Sequence, residues 1–169
     1  MTTSLEVAVA SDSWRKVRGA KRIVAQAIDA GRVRVGLSED PAEISVVLCD
    51  DARIQQLNKA WRGKDQATNV LSFPAGGPGG PHRHLGDIAI AYETVAREAT
   101  SESKTLSAHL AHMAVHGFLH LAGYDHESDR DAEAMEELER QILASLGIAD
   151  PYLHTAPEAE PAKKRRQAR

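Results

Sequence analysis

Five of the eight histidines in this 169-residue chain fall between positions 109 and 126, in the run HLAHMAVHGFLHLAGYDH. His116 and His120 are four apart, so on a helix their imidazoles lie one turn apart on a single face. Gly123 can end that helix in the left-handed region and let the chain fold back to deliver His126. Three neutral imidazole nitrogens then converge on one point. That donor set suits Zn2+, which takes nitrogen ligands at ~2.0–2.1 Å and, when catalytic, keeps a position open for water. His116, His120 and His126 are therefore the expected ligands of one zinc ion per chain. A single helical histidine is usually a surface or core residue; three at i, i+4 and i+10 around a helix-breaking glycine are a different signal. His112 and His109, one and two turns earlier, read as core or surface residues, with support of the ligands as the alternative. His82 and His84 sit in a glycine-rich stretch and carry no assignment.

The spacing is similar to the metzincin protease motif H-E-x-x-H-x-x-G-x-x-H, with one difference. Gly117 stands where those enzymes have the glutamate that acts as general base. A peptidase reading thereby loses its main catalytic group. Glycine inside a helix costs about 1 kcal/mol relative to alanine, so the face at Gly117 is expected to be kept clear, most simply for tight packing. Asp125 could orient a ligand imidazole through its second nitrogen or cap the following helix. Asp87 has the same two options, support or a backbone hydrogen bond.

The elements that must position these groups are legible from periodicity. LEVAVA at 5–10 alternates as a short strand, and apolar residues recur at helical spacing from Trp14 to Ala30, with Gly31 as the stop. A buried strand is expected over 43–49, then a helix capped by Asp50, carried by Ile54, Leu57 and Trp61, and ended by Gly63. NVLSF at 69–73 reads as a strand closed by Pro74, AGGPGGPHRH at 75–84 as a flexible loop, and LGDIAIAY at 85–92 as a strand. Helices follow over about 92–102, 105–122 and 128–146, the last started by Ser128 and stopped by Gly147. The fold class is α+β: a small mixed sheet of about four strands covered by helices, with the zinc site on a helix of the C-terminal half and the turn after it. The domain is placed at residues 1–153, with 154–169 as a disordered basic tail.

Composition narrows the setting. Residues are 42% hydrophobic and 27% charged, so the chain is globular, and aromatics are only 4%. One cysteine, Cys49, excludes an internal disulfide framework. No apolar run approaches membrane-spanning length and no secretory signal is visible, so a cytoplasmic location is expected. Net charge is −3, yet residues 13–34 carry seven basic and one acidic residue, 127–140 two basic and seven acidic, and 157–169 five basic and two acidic. The basic segment offers Arg15, Lys16, Arg18, Lys21 and Arg22 as a track for an RNA backbone, against the plainer reading of a solvated helix face. Scarce aromatics argue against base-stacking platforms.

Three blocks, LNKAWRGKDQATNVLSFP at 57–74, LGDIAIA at 85–91 and HGFLHLAGYDH, together resemble the YbeY family of bacterial endoribonucleases and rRNA maturation factors, over roughly residues 5–153. The resemblance implies a zinc-dependent endoribonuclease selective for single strands, acting in 16S rRNA 3′-end maturation and ribosome quality control. Its partners would be the rRNA precursor, the small ribosomal subunit and assembly factors. It implies His116, His120 and His126 as zinc ligands and Arg62 as the arginine facing the metal cleft, where a guanidinium matches phosphate oxygens two at a time. Trp61 stands where the family usually has tyrosine, which keeps an aromatic wall, and Asn69 where it usually has aspartate, which removes a carboxylate. Two other readings stay open: a metzincin-like hydrolase of peptides or small molecules, and a non-catalytic assembly factor in which zinc only holds the turn together.

Overall fold

The computed structural model describes residues 5–75 and 84–153; residues 76–83 of the expected loop and the whole expected tail lie outside the described residues. Four strands form one sheet: β1 (Leu5–Val9), β2 (Glu43–Cys49), β3 (Val70–Pro74) and β4 (His84–Ala91), in the order β1-β2-β4-β3. β2 runs parallel to β1 and β4, and β3 antiparallel to β4, so the sheet is mixed. Strand alternation divides the apolar residues between two faces. Ile44, Val46, Leu48, Ile88 and Ile90 join the main core, whereas Cys49, Leu71, Ala89 and Ala91 form a smaller one.

Helices cover both faces. Over the main core lie α2 (Ala20–Arg34) and α5 (Leu106–Leu121), with α6 (Asp129–Ser145) packed against both. Ile54 of α3 (Asp51–Arg62) closes the smaller cluster, and α4 (Tyr92–Ser101) bridges from β4 to α5 and α3. Helix starts follow the expected caps. Asp50 Oδ1 accepts from Arg53 N at 2.8 Å and Ser128 Oγ from Asp131 N at 3.0 Å, each satisfying a donor the helix leaves open. Gly63 and Gly147 end their helices at φ +71° and +77°.

The expected helix over 14–30 is two helices. Ser11 caps a four-residue α1 (Asp12–Arg15), whose Trp14 is buried and donates Nε1–H to Ile90 O at 3.2 Å. Gly19 then takes φ +72°, and α2 begins at Ala20. Trp14 therefore plugs the end of the sheet and does not open the amphipathic helix. Gly31 is not a stop either, because α2 runs three residues further. A Cβ at Gly31 would lie 2.7 Å from Phe118 Cδ2, so the glycine allows α2 and α5 to meet closely.

Candidate metal centre

α5 carries apolar residues on almost every side and is buried along most of its length. Its last turns bring His116 and His120 to the surface of the core on one edge. Ala122 caps the helix, and Gly123 follows at φ +102°. Gly123 N donates to His120 O at 3.1 Å and Tyr124 N to Leu119 O at 3.0 Å, which turns the chain back and delivers His126. One nitrogen from each of His116, His120 and His126 lies within 4.8 Å of the others, so the group could hold a metal ion.

The donor chemistry fits such an ion. His116 donates Nδ1–H to Glu139 Oε2 at 2.6 Å, which leaves its Nε2 lone pair for the site. That Nε2 lies 3.2 Å from His120 Nε2. Two nitrogens on one tetrahedral ion at ~2.0–2.1 Å stand about 3.3 Å apart, close to the spacing of this pair. Burial, followed by the neighbouring His116 and His126, lowers the His120 pKa and favours the neutral ring that a metal needs.

Glu139 was not visible as a site residue in the sequence, where it counts among the acidic residues of 127–140. It is 1% exposed. Besides His116, it accepts from His112 Nε2 at 2.9 Å and from the Tyr152 hydroxyl. Burial alone would raise its pKa; donation by His112 and His116 outweighs that and holds the carboxyl at about 2. The available signal was a carboxylate in the apolar stripe Met135, Glu139, Ile142, Leu143 of α6. His112 thus supports a candidate ligand through a shared carboxylate, while His109 bonds Glu98 at 2.8 Å.

The three imidazoles open into a cleft of about 430 Å3, and Arg62, Asn69 and Ser72 line it with them. Arg62 is exposed at the last turn of α3 and has no ion-pair partner among the described residues. Asn58, 3% exposed, holds the segment after that turn through Nδ2 to Gln66 O at 2.9 Å. Asn69 donates Nδ2–H to Glu98 Oε1 at 3.0 Å, on the same carboxylate that His109 bonds. Gly117 faces the sheet: a Cβ there would meet Ile88 Cγ2 at 2.9 Å, and Ser72 Oγ donates to Gly117 O at 3.1 Å. The clear face expected at 117 is a packing requirement of α5 on β3 and β4.

A family model described as Endoribonuclease YbeY matches residues 8–147. The chain belongs to the YbeY family. A Nitrobacter winogradskyi protein named Endoribonuclease YbeY is 55% identical over 157 residues, covering 89% of this chain and 83% of that one. A Bradyrhizobium protein of the same name is 55% identical over 153 residues, covering 87% and 90%. Among solved structures, a Thermotoga maritima protein determined in solution is similar with a TM-score of 0.53 over 92% of this chain and 99% of that one. At 21% identity that likeness bears on the fold alone.

Within this YbeY-family chain, the optional roles weighed for Asp87, Asp125 and the basic segment meet different outcomes. Asp87 is exposed on the α3 side of β4, beside His84 at 3.4 Å, and does not line the cleft. Asp125 borders the cleft, but its Oδ1 accepts from Glu127 N at 3.3 Å, and Ser128 caps the following helix. Of the basic segment, Arg32 is buried and donates to the Asp40 and Ala42 carbonyls. The exposed residues up to Arg22 precede Ile23, which borders Ala108 near the start of α5. His120 lies twelve residues further along that helix, about 18 Å away. The basic track and the cleft are at opposite ends of α5. No helix among the described residues is long and apolar enough to cross a membrane.

Proposed function

We propose that the chain is a zinc-dependent endoribonuclease that cuts single-stranded RNA, acting in 16S rRNA 3′-end maturation and ribosome quality control. One observation carries this reading. Three imidazole nitrogens within 4.8 Å share a cleft with an exposed arginine that has no ion-pair partner among the described residues, in a chain of the YbeY family whose relatives are named endoribonucleases. The same reading gives it the small ribosomal subunit and assembly factors as partners, and the cytoplasm as its location.

His116, His120 and His126 hold the zinc, and Glu139 fixes His116 in the tautomer that leaves Nε2 unprotonated. When bound, zinc supplies Lewis-acid chemistry at a phosphodiester and makes nearby water more acidic. Arg62 binds the non-bridging phosphate oxygens, where its forked donors match two at a time and neutralise charge that builds up in the transition state. A cleft of about 430 Å3 takes a nucleotide unit and not a duplex, which favours single strands.

Purified protein is expected to contain about one zinc per chain by elemental analysis and to cleave unstructured RNA but not casein. Chelation abolishes the cleavage and zinc restores it. Proteolysis without RNA cleavage would reverse the assignment. Arg62→Glu retains zinc and fold, because the side chain is exposed and not a ligand, and loses about 100-fold or more in cleavage rate. Loss of metal in that variant would contradict the role given to Arg62. His116→Ala loses the metal; a folded, metal-free variant that fully supports rRNA processing in cells would make the site structural.

A further inference from the structure

Two cavities meet at the free edge of the sheet. The first is the histidine cleft. The second, also about 430 Å3, lies on the α3 side of the sheet, where Leu57, Trp61 and Phe73 form its apolar wall and Arg53 and Asp87 border it. Pro74 lines both. β3 is the edge strand between them, with Ser72 turned to the cleft and Phe73 to the groove.

Trp61 is the unusual residue of that groove. It continues the stripe of Ile54 and Leu57 along α3, yet it is 71% exposed. One side rests on Phe73, with ring centroids 6.3 Å apart, and the rest of the indole is open. Its chain neighbour is Arg62, so consecutive residues, about 3.8 Å apart at Cα, serve the groove and the cleft. Two cations flank the indole: Arg53 lines the groove with it, and Arg62 lines the cleft. A flat aromatic face beside cationic side chains, one step from a phosphate-binding arginine, is the arrangement by which proteins hold single-stranded nucleic acid.

The geometry points to Trp61 as a stacking platform for one unstacked nucleobase of the RNA, next to the phosphate that Arg62 holds. The RNA strand crosses the sheet edge at Pro74, its phosphodiester in the histidine cleft and its flanking base on the indole. Arg53 and Asp87 stand where a donor and an acceptor reach that base's edge. The platform adds an aromatic grip that the low aromatic content argued against; a single well-placed tryptophan suffices. The inference rests on the ribonuclease reading and specifies how the substrate is gripped.

The two tryptophans make it testable, because Trp14 is 1% exposed and only Trp61 can meet a ligand. Rapid mixing of the zinc-loaded protein with a short single-stranded oligoribonucleotide is expected to quench tryptophan emission. An oligonucleotide carrying abasic sites is expected to bind without quenching. In steady-state cleavage, Trp61→Ala raises KM roughly tenfold and alters kcat far less, while Trp61→Phe recovers most of the affinity. A Trp61→Ala protein that cleaves RNA with the wild-type KM overturns the platform and leaves the ribonuclease reading standing. A wild-type protein that neither binds nor cleaves RNA overturns both.

Discussion

Glu139 is buried in the core, yet it takes donors from His112, His116 and Tyr152. Replacing it by glutamine removes the charge while keeping its size, so His116 loses its orienting carboxylate. Metal affinity of Glu139→Gln is expected to fall about 10–100-fold, read by competition with a chromophoric chelator. The carboxyl also ties stability to pH. Its folded pKa, about 2, lies below the ordinary 4.5, so its contribution is fully present above 4.5 and is lost as pH falls towards 2. In metal-free protein, the gap in thermal midpoint between wild type and Glu139→Gln is therefore expected to close over that interval. Asn69 is a second case, since its amide donates to Glu98. Asn69→Asp sets two carboxylates against each other and should lower the midpoint at neutral pH, with partial recovery on acidification.

At the scale of elements, caps and turns were readable because their chemistry is local. Asp50, Ser128, Gly63, Gly123 and Gly147 all act on residues a few positions away. Gly31 and Gly117 were harder, because a glycine that stops a helix and one that lets helices meet look alike in a string. Phe118 and Ile88, the residues they admit, are 87 and 29 positions away. Gly31→Ala gains at most about 1 kcal/mol of helix propensity and forces Phe118 aside, so urea denaturation is expected to show a net loss of about 1–2 kcal/mol. Gly117→Glu places the metzincin carboxylate against the sheet. It should lower the thermal midpoint and create no peptidase activity; casein hydrolysis by that variant would contradict the packing described here.

Across the whole molecule, charge is segregated, but not as the linear sequence suggests. Arg32 and Glu139 leave their basic and acidic runs for the interior, and the exposed basic residues up to Arg22 sit at the far end of α5 from the cleft. If the basic residues of 157–169 add to RNA binding, deleting them leaves the thermal midpoint unchanged and weakens affinity mainly at low salt, measured as a shallower slope of log affinity against log salt. An unchanged slope would remove them from the binding surface. The sequence by itself determined the order of the strands and of the helices from α3 onward, the mixed α+β class and the grouping of His116, His120 and His126, because periodicity and capping are short-range and all three histidines lie within eleven residues. The family resemblance implied that Arg62 shares their cleft; only the tertiary structure decided that Glu139 stands behind His116 and that Trp61 is left open beside Arg62. Those relations join α3, α5, α6 and the edge strand across long stretches of chain, and they depend on which side chains the packed core accepts, which no local pattern records.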